Sequence, residues 1–196
     1  MILITGALGF IGSHTARALL DLGESCVLTR HRASRCPDFL AEEIDKRVFV
    51  EELDVTDQTA YLDLGKRHAI TGIAHLAADS NTLDTIENLR ANTQGLLNAL
   101  RAARDWGVAR IGIASTLGVY VGVPEIPFRE DMPLPMSKML PIPVFKRSAE
   151  LFASLVGDRD GVDVVNLRIS TIWGPLIRNR EPTVPRLVRR GHRADG

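Results

Sequence analysis

The segment Gly6-Ala7-Leu8-Gly9-Phe10-Ile11-Gly12 constrains this chain more than any other. It follows an apolar strand, Met1-Ile2-Leu3-Ile4-Thr5, and precedes Phe10, Ile11, Ala16, Leu19 and Leu20 at helical spacing. A glycine at every third residue where a buried strand turns into a helix suits the pyrophosphate of a dinucleotide. The turn must be tight, the backbone must approach the phosphates, and the helix must lie close to the strand. The helix N-terminus adds free N–H groups and a partial positive charge. Gly6, Gly9, Phe10, Ile11 and Gly12 are therefore the first candidate cofactor-binding residues. A glycine turn without a ligand is the competing explanation, and the flanking strand and helix count against it.

Strand and helix signals alternate behind this turn. Short apolar runs occur at 2–5, 26–29, 48–50, 72–76, 111–115 and 162–167, separated by segments of helical period. The clearest of these is 85–104, where Ile86, Leu89, Thr93, Leu96, Leu97 and Leu100 share one face. Such alternation predicts an α/β fold, a doubly wound parallel sheet of the Rossmann type. Its ligand crevice lies beyond the carboxyl ends of the strands, where the glycine turn stands.

At 196 residues the chain suffices for one substantial core. Its formal net charge of zero gives no global argument for nucleic acid or an anionic membrane as partner. No apolar run reaches the length of a membrane span, and no basic stretch followed by an apolar one suggests a signal peptide. Cys26 and Cys36 read as reduced thiols of a cytoplasmic protein, with no metal-ligand spacing. The expected partner is a small molecule.

Two segments break the alternation. Residues 121–143 contain Pro124, Pro127, Pro133, Pro135, Pro141 and Pro143, which predicts a long irregular loop walling a pocket. Residues 176–196 carry Arg178, Arg180, Arg186, Arg189, Arg190 and Arg193. A solvated helix face and a site for a phosphate-bearing substrate both explain such a cluster.

An ordered set of motifs extends along the chain: Thr5-Gly6-x-x-Gly9-x-x-Gly12, Asp54-Val55-Thr56-Asp57, His75-Leu76-Ala77-Ala78, Asn92, Ser115-Thr116-Leu117-Gly118-Val119-Tyr120, Lys146-x-x-x-Glu150, Leu167-Arg168 and Trp173-Gly174-Pro175. In this order they resemble the extended short-chain dehydrogenase/reductase family, of NAD-dependent epimerase/dehydratase type. The resemblance runs from Met1 to about Pro175. It implies a dinucleotide-binding domain over 1–175 and, over 176–196, only the start of a substrate-binding region, so that the chain looks truncated. It also implies cofactor contacts from Asp54 and Val55, from Leu76, Ala77 and Ala78, and from Asn92, Ser115 and Lys146. Tyr120 and Thr171 are expected to line the substrate pocket. Asp54 also fits a helix N-cap, and Asp57 a first-turn residue that complements the helix dipole. His75 reads as a packed histidine.

Two positions depart from the family pattern. The second strand of relatives usually ends in an acidic residue that holds the ribose of NAD; here Arg30 stands there, followed by His31, Arg32 and Arg35. Guanidinium groups bind a 2′-phosphate, so this place favours NADP over NAD. The family's chemistry uses a Ser or Thr, a Lys, and a Tyr four residues before that Lys. Thr116 and Lys146 match as catalytic residues, whereas the tyrosine position holds Ile142. Tyr120, Lys146 itself and Ser137 are the candidate substitutes. Two functions follow: a dinucleotide-dependent oxidoreductase, epimerase or dehydratase acting on a carbinol or carbonyl carbon, with a nucleotide sugar as the candidate substrate, and a catalytically silent dinucleotide-binding regulator. Relatives also pair across a two-fold axis through helices equivalent to 85–104 and 145–156. Leu96, Leu100, Phe152 and Val156 fit either that homodimer contact or plain core.

Overall fold

A computed structural model describes residues 1–31, 36–79, 84–135 and 141–174. Arg32, Arg35, Ser137, Pro175 and the arginine-rich segment 176–196 lie outside the described residues. The strands are β1 (Ile2–Thr5), β2 (Cys26–Arg30), β3 (Val48–Glu52), β4 (Gly72–His75), β5 (Arg110–Thr116) and β6 (Val164–Ile169). The helices are α1 (Phe10–Asp21), α2 (Gln58–Arg67), α3 (Thr85–Trp106) and α4 (Pro141–Asp160), with 3-10 turns at Asp38–Glu43 and Leu117–Tyr120. All six strands are parallel, in the order β3-β2-β1-β4-β5-β6. The chain therefore runs outward from β1 on one side, then crosses back to build the other. Between β1 and β4 the direction of winding reverses, and a crevice opens there at the strand ends.

Alternation along the central strands divides the core. Leu3 and Val27 face Tyr61, Leu64, Leu96, Leu100 and Phe145 of α2, α3 and α4. Ile4, Cys26 and Leu28 face Ala16 and Leu20 of α1 and Leu40 of the first 3-10 turn. Strands buried on both faces read as unbroken apolar runs, which is why they are visible in the sequence.

Three expectations need correction. Pro141 and Pro143 belong to the first turn of α4, so the irregular segment ends earlier than 143. A first turn has no intrahelical acceptors for its N–H groups, so proline costs little there. The N-cap of α2 is Asp57, whose carboxylate accepts from Ala60 N at 2.9 Å, and not Asp54. Leu96 and Leu100 are 1% and 2% exposed, because α3 turns that face to the sheet. They are core residues. The large apolar side chains that α3 and α4 expose include Ile86, Leu97, Ile142, Val144, Leu151, Phe152 and Leu155. Among the described residues no helix is long and apolar enough to cross a membrane.

Candidate functional site

Each glycine of the turn has a separate steric reason. Gly6 adopts φ +67°, and a Cβ there would stand 2.9 Å from Ala77 N. A Cβ at Gly12 would lie 2.3 Å from Gly6 O and 2.6 Å from Ala7 Cα. Gly9 N donates to Gly6 O at 3.1 Å and begins α1 without any side-chain cap. The first turn of α1 thus presents uncapped N–H groups at the strand end, a cradle that fits a pyrophosphate. Phe10 stands edge-on to His14, their centroids 5.1 Å apart, and Ile11 is partly exposed.

The segment leaving β4 forms the opposite wall. Thr5 Oγ1 accepts from Ala77 N at 3.2 Å and lies 2.9 Å from His75 Nδ1. We assign the Thr5 hydroxyl proton to Nδ1, which leaves His75 neutral. Burial, reinforced by the charge of Lys146, pushes the His75 pKa down to about 3. The folded chain then binds fewer protons than the unfolded one below the ordinary histidine value near 6.5. This contribution is intact above that pH and is lost as pH falls toward 3. Urea unfolding should show about 2 kcal/mol lost between pH 6.5 and 4.5 through this residue, and His75→Gln should flatten that part of the profile.

Asn92 supports this wall through the backbone of Asp79. Its Oδ1 accepts from Asp79 N at 2.8 Å and its Nδ2 donates to Asp79 O at 3.0 Å. Asn98, which sequence reasoning passes over, donates to Val55 O at 2.8 Å and fixes the exit of β3. At that exit Asp54 Oδ1 accepts from Thr56 N and Thr56 Oγ1, at 2.9 and 2.8 Å, and its Oδ2 lies 3.7 Å from His31 Nε2. Arg30 ends β2 with its guanidinium 3.9 Å from Glu52. The structure brings Arg30, His31 and Asp54 to one half-exposed corner.

The candidate catalytic Thr116 stands at the carboxyl end of β5. Its Oγ1 accepts from Gly118 N at 3.1 Å, leaving its proton to donate. A cleft of about 500 Å3 opens beside it, lined by Thr116, Tyr120, Phe128, Ser170 and Thr171 among others. Tyr120 and Phe128 stack at 4.6 Å. The Tyr120 hydroxyl donates to Arg129 O at 3.0 Å and accepts from Arg168 Nη1 at 2.5 Å, so it is fully engaged. Ser115 points to the other side of β5 and donates to Glu150, away from the crevice its neighbour faces. Glu150 also takes a fork from Arg168, with Nη2 at 2.9 Å. Lys146, one turn before Glu150 on α4, is mostly buried, and burial lowers its pKa to about 8. Ile142, at the expected tyrosine position, is 51% exposed.

Comparison with known proteins agrees with this geometry. Residues 2–195 match the NAD dependent epimerase/dehydratase family. The chain belongs to that family. It is 29% identical over 187 residues to a UDP-glucuronate 4-epimerase of Thermodesulfobacterium geofontis, covering 90% of this chain and 57% of the relative. It is 30% identical to a Streptomyces dTDP-4-dehydro-6-deoxy-D-allose reductase, covering 89% and 56%. Among solved structures, the Bordetella bronchiseptica enzyme WbmG in complex with NAD superposes with a TM-score of 0.78 at 26% identity, over 97% of this chain and 59% of that one. The UDP-glucose 4-epimerase of Thermus thermophilus in complex with NAD gives 0.74 at 29%, over 92% and 57%. The chain thus spans a little over half the length of these relatives.

Gly6 packs against Leu76 and Ala77 and Gly12 against Gly6 and Ala7, while Thr116 lines the cleft at the end of β5. The Ser115 hydroxyl is bonded to Glu150 and the Asn92 amide to the Asp79 backbone. Glu150 and Arg168, motif residues to which the sequence assigns no role, form an ion pair at 2.9 Å. The spacing of Lys146 and Glu150 on one helix face was the available signal. Arg147, absent from the motifs, donates to Pro135 O and Leu134 O at 2.5 and 2.6 Å and fastens the end of the proline-rich segment.

Proposed function

We propose that this chain binds a nicotinamide dinucleotide along the crevice and supports hydride transfer at a carbinol or carbonyl carbon of a nucleotide sugar. The observation that carries this is the uncapped glycine cradle and Thr116 at the carboxyl edge of one parallel sheet. Bound there, the dinucleotide supplies the hydride acceptor or donor; everything else falls to the chain. Gly6, Gly9 and Gly12 let the backbone approach the phosphates. Leu76, Ala77 and Ala78 wall the ring side, and Asp54 and Val55 meet the adenosine. Thr116 donates to the substrate oxygen, while Lys146 holds ribose hydroxyls. Tyr120 and Thr171 shape the substrate cleft. UDP-sugar enzymes among the relatives support the substrate class.

The Arg30 corner supports NADP over NAD, although the solved relatives named above hold NAD. Glu52, 3.9 Å from the guanidinium, offsets part of its charge. A fluorescence titration at low salt tests this. NADPH should bind tighter than NADH, and Arg30→Ala should weaken NADPH about tenfold while leaving NADH nearly unchanged. Equal affinities would remove the Arg30 assignment; no binding of either would overturn the function. The silent-regulator reading is favoured by Ile142 alone, and reduction of NAD or NADP by a UDP-sugar separates it from the enzyme. Reduced Cys26 and Cys36 fit a cytoplasmic setting. Exposed Leu97, Leu151, Phe152 and Leu155 fit a homodimer through α3 and α4.

A further inference from the structure

Tyr120 is the aromatic residue that the sequence places in the substrate pocket, yet it offers a ligand almost no surface. It is 5% exposed and packs with Val119 and Met132 in a small apolar cluster. Its hydroxyl is held between Arg129 O and Arg168 Nη1. Phe128 stacks on it. The two rings are parallel to within 2°, with centroids 4.6 Å apart. One face of Phe128 is therefore covered by Tyr120, and the ring is still 40% exposed and lines the cleft. The aromatic surface of the cleft belongs to Phe128.

The stack is held in place. Arg168 sets its guanidinium 4.9 Å from the Tyr120 ring centroid and is itself forked to Glu150 of α4. The two residues that follow Phe128 are tied to the same cluster. Arg129 N donates to Met132 Sδ, and Glu130 O accepts from Arg168 Nη1. A flat apolar ring fixed in this way offers contact area at little cost in side-chain entropy.

We propose that the exposed face of Phe128 is the platform on which the sugar ring of a nucleotide sugar stacks. This rests on the nucleotide-sugar reading above. Thr116, to which that reading gives the reacting oxygen, lines the same cleft as Phe128. The ring that enters the cleft is therefore the one that bears the reacting carbon. A pyranose suits such a wall. The C–H bonds on one face of the ring meet the negative face of the aromatic quadrupole, while the hydroxyls project from the rim. Ser170 and Thr171 line the same cleft and supply hydroxyls for hydrogen bonds there. Uracil is the competing occupant of an aromatic face, and a comparison of UDP-glucose with UDP separates the two.

Calorimetric titration of the chain with each nucleotide tests this, at saturating NADH so that no sugar is oxidised. Phe128→Leu keeps an apolar side chain against Tyr120 and removes the ring. It should weaken UDP-glucose about tenfold and leave UDP and NADH within about twofold. Phe128→Tyr keeps the ring and should retain the UDP-glucose affinity. The proposal is overturned if Phe128→Leu weakens UDP-glucose and UDP equally, as a stacked uracil or a displaced wall would. It is also overturned if Phe128→Leu weakens neither, or if Phe128→Tyr loses as much as Phe128→Leu. In all of these cases NADH still binds and the dinucleotide site stands. A chain that binds NADH but neither nucleotide overturns the platform together with the sugar substrate. One that binds no NADH overturns the underlying function as well.

Discussion

Gly12→Ala should cost about 3 kcal/mol or more of stability and abolish measurable NADH binding. The new methyl would sit 2.3 Å from Gly6 O and 2.6 Å from Ala7 Cα, both backbone atoms with no rotamer to yield. Relief requires α1 to move off β1, which breaks the contacts of Ala16 and Leu20 with Ile4 and Leu28. It also moves the uncapped first turn away from the phosphates. Gly23→Ala is the informative control, since Gly23 has φ +89° with nothing within 4 Å of the would-be Cβ. It should cost about 1 kcal/mol through backbone strain alone and leave binding intact. Chemical denaturation of both variants beside a NADH titration checks the pair. Equal costs would refute the steric argument.

The second large effect is expected at Glu150. Among the described residues its carboxylate is the only partner of the Ser115 hydroxyl and the main one of the Arg168 guanidinium, and its side chain is mostly buried. Glu150→Ala leaves a poorly hydrated guanidinium without its anion and should destabilise the chain by about 3–5 kcal/mol. Arg168 also donates to Tyr120 OH and to Glu130 O, so the loss reaches the proline-rich wall. Limited proteolysis should then cut within 121–135. Removing both charges, as in Glu150→Leu with Arg168→Met, should recover much of the stability in urea unfolding but not the protection of the wall. Full protection in the double variant would show that Arg168 does not hold that segment.

The sequence discloses the fold through its strands. Runs such as Leu3-Ile4 and Val27-Leu28 are apolar at successive positions because both faces of the sheet are covered. The glycine turn is legible because backbone constraint permits no other residue at Gly6 and Gly12. Polar positioning is much less legible. Ser115 and Thr116 are adjacent and chemically alike, but the pleat sends one to Glu150 and the other to the crevice. Nothing in the residue type of Asn92 says whether its amide meets a ligand or, as here, Asp79. Prolines at 141 and 143 resemble their neighbours in the loop, and only the helix register shows that they open α4. Asp54 and Asp57 exchanged capping roles for the same reason: either spacing suits an N-cap, and the three-residue reach to Ala60 decides.

Amide hydrogen exchange with and without NADH tests the central claim most directly, because it reads which backbone meets the dinucleotide. The account predicts added protection at residues 6–12 and 76–78, with a further effect at 116–118 and 142–146. Protection confined to other segments, or unchanged exchange at saturating NADH, would contradict it.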